Sequence, residues 1–300
     1  MPNPTIFALD FDGVLCDSAG ETCAAAWRAG RTLWPGWEAP EPPPAWVDRF
    51  RQLRPVLETG YQAIALLRLV EQERRADCLP AASTHPASAT PAGNMPGQLT
   101  AAAFAQSAAQ ILATTGLGTA ELIRHFGAAR DSWIAAAPEA WLARHEFYPG
   151  VPAALNAASA RGCPLFILTT KQHRFTERLL RNAGVELPSA CIFGLETKRP
   201  KEDILPELLA RPECRGLRMV FVEDRREALD RAAAVPALAA VDLRLATWGY
   251  CGEAASAPQE TEGQGQKSPP NLDAQTPTPS RIRPWLLAEF TAALAGHSPA

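Results

Sequence analysis

Ile6-Phe7-Ala8-Leu9-Asp10-Phe11-Asp12-Gly13-Val14 sets four apolar residues directly before a carboxylate, with a second carboxylate two positions later. A short apolar run ended by a glycine reads as a buried strand of a parallel sheet. With that strand ending near Asp10, both carboxylates fall at its carboxyl end, where open α/β sheets bind ligands. Two neighbouring carboxylates there repel each other and call for a cation, and hard oxygen donors with few neighbours suit Mg²⁺. Asp10-Phe11-Asp12-Gly13 is equally compatible with a plain turn after a strand, so its chemistry depends on partners further along the chain.

Outward from this stretch, other apolar runs repeat the pattern. Pro164-Leu165-Phe166-Ile167-Leu168-Thr169 ends in a hydroxyl, and Arg218-Met219-Val220-Phe221-Val222 runs into Glu223-Asp224. Cys191-Ile192-Phe193-Gly194 predicts a short strand and Val241 to Thr247 another. Helical spacing falls between them, at 152–161, 172–182 (with Gly184 as its C-terminal signal) and 202–210. Strands separated by helices predict an α/β fold built on a doubly wound parallel sheet.

The pattern is interrupted from 18 to 146, where the sequence reads as helical, with Trp34 to Pro44 irregular and a break near Pro55. The expected organisation is an α/β core over 1–17 and 147–253 and a helical insertion over 18–146. A Pro/Ala/Ser-rich mobile loop is expected at 79–98, and a polar linker or disordered loop at 254–280. Ile282, Trp285, Leu286, Phe290 and Leu294 predict an amphipathic helix over 281–295, docked on the core.

The 300 residues carry a formal net charge of −3, which gives no sign of a polyanion-binding surface, so nucleic acid is not the expected partner. The seven cysteines form no C-x-x-C pair and have no histidine at zinc-ligand spacing. Their odd number, with a core strand starting near residue 5 and no apolar run near the roughly 20 residues of a bilayer span, leads us to expect a soluble protein of the reducing cytoplasm, without a presequence or a membrane partner.

Asp10-Phe11-Asp12-Gly13-Val14 resembles the first motif of the haloacid dehalogenase-like superfamily, mostly Mg²⁺-dependent phosphohydrolases. The resemblance extends to Thr169 as the second motif, a lysine in Thr197-Lys198-Arg199-Pro200-Lys201-Glu202 as the third, and Glu223-Asp224 as the acidic fourth. Lys198 and Lys201 compete for the third role, and Lys201, directly before the expected helix, matches the family's placement better. The helical insertion stands where this family commonly carries a helical cap, between its first and second motifs. A closer likeness, to plant and cyanobacterial members, lies in Phe221-Val222-Glu223-Asp224-Arg225, Thr247-Trp248-Gly249-Tyr250 and Arg54-Pro55-Val56-Leu57-Glu58-Thr59-Gly60-Tyr61.

The resemblance implies that Asp10 attacks phosphorus and forms an aspartyl phosphate. Asp12 protonates the leaving oxygen and then activates water. Thr169 and Lys201 hold the phosphate oxygens, with the amide of Thr170 a further candidate. Mg²⁺ is held by Asp10, the Asp12 carbonyl and Asp224, with Glu223 as an alternative ligand. Where a common form of the fourth motif has a second acid this chain has Ala228, so Glu227, Asp230 or Glu223 is expected to serve. Arg54, Glu58 and Tyr61 are candidates to read the substrate, set against plain helix packing. The implied substrate is a small phosphate monoester of the phosphoglycolate or sugar phosphate kind. A phosphomutase and a catalytically silent binding protein share the same motifs. Oligomeric state is left open.

Overall fold

The computed structural model describes residues 5–77, 99–251 and 281–297; the loop expected at 79–98 and the linker expected at 254–280 lie outside them. The chain divides into two compact units, Met1–Leu15 with Pro149–Thr169 and Thr176–Ala300, and Cys16–Tyr148 with Thr170–Phe175.

The first unit is built on a parallel sheet of β1 (Thr5–Leu9), β4 (Leu165–Leu168), β5 (Ile192–Phe193), β6 (Arg218–Glu223), β7 (Asp242–Ala246) and β8 (Ile282–Trp285), in the order β5-β4-β1-β6-β7-β8. β2 (Cys16–Asp17) and β3 (Glu146–Phe147) form an antiparallel pair in the second unit. Ile6, Ala8, Met219, Phe221, Leu243 and Leu245 share one buried cluster, while the alternate residues Phe7, Leu9, Val220 and Val222 are equally buried. Strands hidden on both faces explain the unbroken apolar runs that the sequence shows. Helices of this unit are α7 (Val151–Ala160), α8 (His173–Asn182) from Thr176 onward, α9 (Lys201–Ala210), α10 (Arg226–Ala233) and α11 (Leu287–Ala295).

The C-terminal segment differs from expectation. Ile282 and Trp285 belong to strand β8, paired with β7 through Leu243↔Ile282 and Ala246↔Trp285, and only Leu287–Ala295 is helical. Ile282 and Trp285 are three apart and buried at both ends of a four-residue strand, a spacing that mimics one helical face over so short a run. Pro284 is compatible with a strand here because β8 is at the sheet edge.

The second unit is helical: α1 (Ala19–Gly30), α2 (Pro44–Leu53), α3 (Ala63–Asp77), α4 (Ala101–Thr115), α5 (Thr119–Ala136) and α6 (Pro138–Leu142). Within the stretch read as helical over 18–146, α5 and α6 are separated at Ala137, ahead of Pro138, because the residue before a proline leaves the helical region. Trp27 stacks on Trp37 at 4.6 Å and Trp46 meets both edge-on. No helix among the described residues is long and apolar enough to cross a membrane.

Among the described residues of this unit, Glu21 and Arg130 form a buried ion pair. Arg130 donates to both Glu21 oxygens, at 2.7 and 2.5 Å, and Trp141 Nε1 adds a third bond at 3.0 Å. Burial alone would raise the Glu21 carboxyl, but Arg130, Lys171 and His145 outweigh it and hold the group at about 2. Since that is below its ordinary value of 4.5, the stabilisation is complete above about pH 4.5 and is lost as pH falls towards 2. Arg130→Met, which strands a buried carboxylate, is expected to lower stability at pH 7 by about 3–5 kcal/mol in denaturant unfolding. Glu21→Gln is expected to flatten the loss of stability between pH 4.5 and 2. Parallel pH profiles for this variant and the wild type would contradict the assignment.

Candidate active site

Strand register alone brings the principal residues together. Leu9 pairs with Ile167 of β4 and with Val222 of β6, so the residues that follow each strand emerge side by side. The Asp10 N–H donates to the Val222 carbonyl at 3.0 Å, which sets Asp10 beside Glu223, the last residue of β6, with Asp224 next. Thr169 follows β4 and its N–H donates to the Phe193 carbonyl of β5 at 2.9 Å. The chain winds outward from β1 in both directions, to β4 and β5 on one side and to β6, β7 and β8 on the other. The site is therefore at the topological switch point of the sheet.

Lys201 opens α9 immediately after Pro200. A cation in a helix's first turn opposes the helix dipole, and here two carboxylates offset that cost. Lys201 Nζ donates to Asp10 Oδ1 and to Glu223 Oε2, each at 2.5 Å. Lys198 is exposed in the preceding turn with φ +53. Of the two competing lysines it is Lys201 that reaches the carboxylates.

Glu223 is committed on both oxygens, because Oε1 accepts the Arg225 N–H at 3.1 Å. Asp224 accepts the main-chain N–H of Tyr250 on Oδ2 at 2.7 Å. Gly13 has φ +89, and a Cβ there would overlap the Asp224 carboxyl group. Glycine at this position thus provides the left-handed turn and the close approach together.

Charge at the site is unbalanced. Burial raises Asp10, Lys201 lowers it, and the charges of Glu223 and Asp12 raise it further, leaving about 7. Burial likewise raises Asp224 well above the usual range, with repulsion from Glu223 and Asp10 added. Glu223 ends below its ordinary value although burial opposes this, because Lys201 binds it directly. Lys201 is raised against its own burial by Asp10 and Glu223. One ammonium thus faces three buried carboxyls whose oxygens, one from each, lie within 4.8 Å of one another. Such a set either keeps protons or takes up a cation, and its all-oxygen donors fit a hard divalent ion.

Lys201 contacts Asp10 and Glu223, an oxygen of Asp224 lies within 4.8 Å of one from each of those two carboxyls, Asp12 is half-buried two residues on from Asp10, and Thr169 is buried at the adjoining strand end. Thr170 and Arg54 belong to the second unit: the Thr170 hydroxyl donates to the Glu58 carbonyl at 3.0 Å and Arg54 Nη1 donates to the Leu57 carbonyl at 3.4 Å. Ala228 is buried in α10, and Glu227 and Asp230 face Arg225 and Arg226 at 3.8 and 2.9 Å. Neither acid joins the cluster, where Glu223 is the additional carboxylate. The hold of Tyr250 on Asp224 is absent from the sequence reading. Its one signal was the glycine in Thr247-Trp248-Gly249-Tyr250, directly after a strand.

No curated protein matches the chain. Among solved structures it is similar to a haloacid dehalogenase-like family hydrolase from Streptococcus pneumoniae (16% identity, 85% of this chain and 90% of that one, TM-score 0.47). It is similar also to a protein described as a predicted phosphoglycolate phosphatase from Haemophilus somnus (16%, 82% and 86%, 0.46). A third is the protein tyrosine kinase A of Mycobacterium tuberculosis (20%, 91% and 96%, 0.45). Likenesses this distant carry no activity across. The model of the haloacid dehalogenase-like hydrolases matches residues 4–235, more than half of the chain and a span that holds Asp10, Thr169, Lys201 and Asp224. The chain belongs to the haloacid dehalogenase-like hydrolases.

Proposed function

We propose that the protein is a Mg²⁺-dependent phosphohydrolase that cleaves a small phosphate monoester, of the phosphoglycolate or sugar phosphate kind, through an aspartyl phosphate on Asp10. The observation that carries this reading is the bridge from Lys201 to Asp10 and Glu223, which sets an ammonium against a buried carboxyl at the carboxyl end of β1 and opposes the rise that burial imposes on it. A displacement at phosphorus needs such a nucleophile together with cations and donors for the oxygens in flight.

A carboxylate oxygen of Asp10 attacks phosphorus while the bond to the ester oxygen breaks, and Asp12 gives that oxygen its proton. Asp12, now anionic, takes a proton from water as the water oxygen attacks the same phosphorus, releasing phosphate and free Asp10. Thr169 and Lys201 bind the non-bridging oxygens. Mg²⁺, held by Asp10, the Asp12 carbonyl and Asp224, would supply the positive charge that the site's own lysine does not provide. In the first motif Asp12 sets a proton donor next to the nucleophile, which an ester leaving group requires and a halide does not. The helical second unit is assigned the role of cap, and the protein a cytoplasmic setting.

Phosphate release from a panel of small phosphomonoesters, with and without Mg²⁺, tests this. Turnover is expected only with Mg²⁺. Asp10→Asn is expected to reduce it to background and Asp12→Asn to lower kcat by about 10²–10⁴-fold. Isomerised product without net phosphate would convert the assignment to a mutase, and bound Mg²⁺ without turnover on any ester to a silent binding protein.

The unbalanced charge gives a second expectation. Asp224→Asn relieves repulsion among buried carboxyls, so the metal-free variant is expected to be more stable than metal-free wild type by about 0.5–2 kcal/mol. Wild type at Mg²⁺ a hundredfold above Kd should gain about 2.7 kcal/mol, a gain that the variant lacks. Thermal unfolding with chelator and with Mg²⁺ measures both, and an Asp224→Asn protein destabilised without metal would contradict the charge balance drawn here.

A further inference from the structure

Asp224 is held from a part of the chain beyond the 4–235 matched by the family model. β7 ends at Ala246, and the turn that follows closes with the Gly249 N–H on the Ala246 carbonyl at 3.2 Å. Its far end delivers the Tyr250 N–H to Asp224 Oδ2 at 2.7 Å. The turn is pinned from three directions. The Thr247 N–H and hydroxyl both donate to the Trp285 carbonyl at the end of β8, at 3.1 and 2.9 Å. Trp248 Nε1 donates to the Val14 carbonyl at 3.1 Å, in the loop that carries Asp10 and Asp12. The Trp248 ring stacks on Phe290 of α11, with ring centres 5.2 Å apart.

The approach is as close as backbones allow. A Cβ on Gly249 would overlap the Gly13 carbonyl and the Asp224 Cβ, just as one on Gly13 would overlap the Asp224 carboxyl. Two glycines therefore line the carboxyl, one from the loop after β1 and one from the turn after β7. A bond from a fixed main-chain donor leaves a carboxylate little freedom to turn about its terminal torsion, which is otherwise broad. It also directs the other oxygen of Asp224 without adding a charge to an overcharged cluster.

We infer that the turn Thr247-Trp248-Gly249-Tyr250 is a positioning element for Asp224, which sets the affinity of the site for its divalent cation while taking no part in the chemistry. The inference rests on the reading of Asp224 as a metal ligand. Second-sphere partners of a metal ligand typically alter metal affinity by about 10–100-fold when removed. Trp248 is the lever, because its indole N–H fastens the turn to the loop of Asp10 and Asp12, and phenylalanine can keep the stack on Phe290 without that bond.

The test is Mg²⁺ titration calorimetry on full-length wild type, Trp248→Phe and Gly249→Ala, with the thermal midpoint of each taken in chelator. Trp248→Phe is expected to raise the Kd for Mg²⁺ by about 10-fold. Its kcat should recover when Mg²⁺ is raised in proportion, and Gly249→Ala, if it folds, should show a larger rise. A Trp248→Phe protein that binds Mg²⁺ within twofold of wild type overturns the inference, whatever its thermal midpoint, since a merely structural turn would lower the midpoint alone. Wild type that binds no Mg²⁺ overturns the inference together with the assignment of Asp224. Wild type that binds normally beside an unchanged variant overturns the inference and leaves that assignment standing.

Discussion

Three carboxyls buried together, with one ammonium that binds two of them, is the constraint on which the first unit depends. Removing a carboxylate from water costs several kcal/mol even after relaxation, and repulsion among neighbours adds to it. The fold meets that cost unevenly. Glu223 receives the lysine and an amide, Asp10 shares the lysine, and Asp224 receives one amide. The shifts follow the same order, with Glu223 held down and Asp224 pushed up. The second unit provides the contrast: Glu21 is as deeply buried, yet a bidentate arginine and an indole satisfy it and its carboxyl falls to about 2. The carboxylate given three donors is held down, and the one given a single amide is pushed up.

What was legible in the sequence followed from this economy of placement. Asp10, Thr169 and Glu223-Asp224 each stand where an apolar run stops, and parallel pairing of such runs can only collect their ends on one edge of the sheet. The choice between Lys198 and Lys201 was legible as well, since a proline directly before a residue marks the entry to a helix, and Lys201 is in that position. The cluster's second acid was not, because Glu223, Glu227 and Asp230 are equivalent as letters and differ only in whether they end a strand or ride on an exposed helix.

Two features escaped for different reasons. β8 has four residues, with Ile282 and Trp285 at its ends, and so short an element cannot display a period of two against one of 3.6. Its strand character comes from pairing with β7, a tertiary cause that local composition does not carry. The hold on Asp224 escaped because its donor is a main-chain N–H, which every residue but proline possesses. A sequence can show that a glycine permits a close approach without showing which backbone group makes it. Gly13 and Gly249 were both visible as letters, and only the fold brings them to one carboxyl.

The pinning of the 247–250 turn by Trp285 and Phe290 has a consequence for the order in which the molecule becomes competent. Domains form as the chain leaves the ribosome, N-terminal parts first. A nascent chain that has emerged through β7 already owns every carboxylate and the lysine of the site, but neither the strand nor the helix that steadies the turn over Asp224. Such a chain carries its full complement of reactive groups on an unfinished frame. β8 and α11 therefore complete the frame of the turn over Asp224, and proteolysis that removed them would leave the carboxylates and the lysine of the cluster without it.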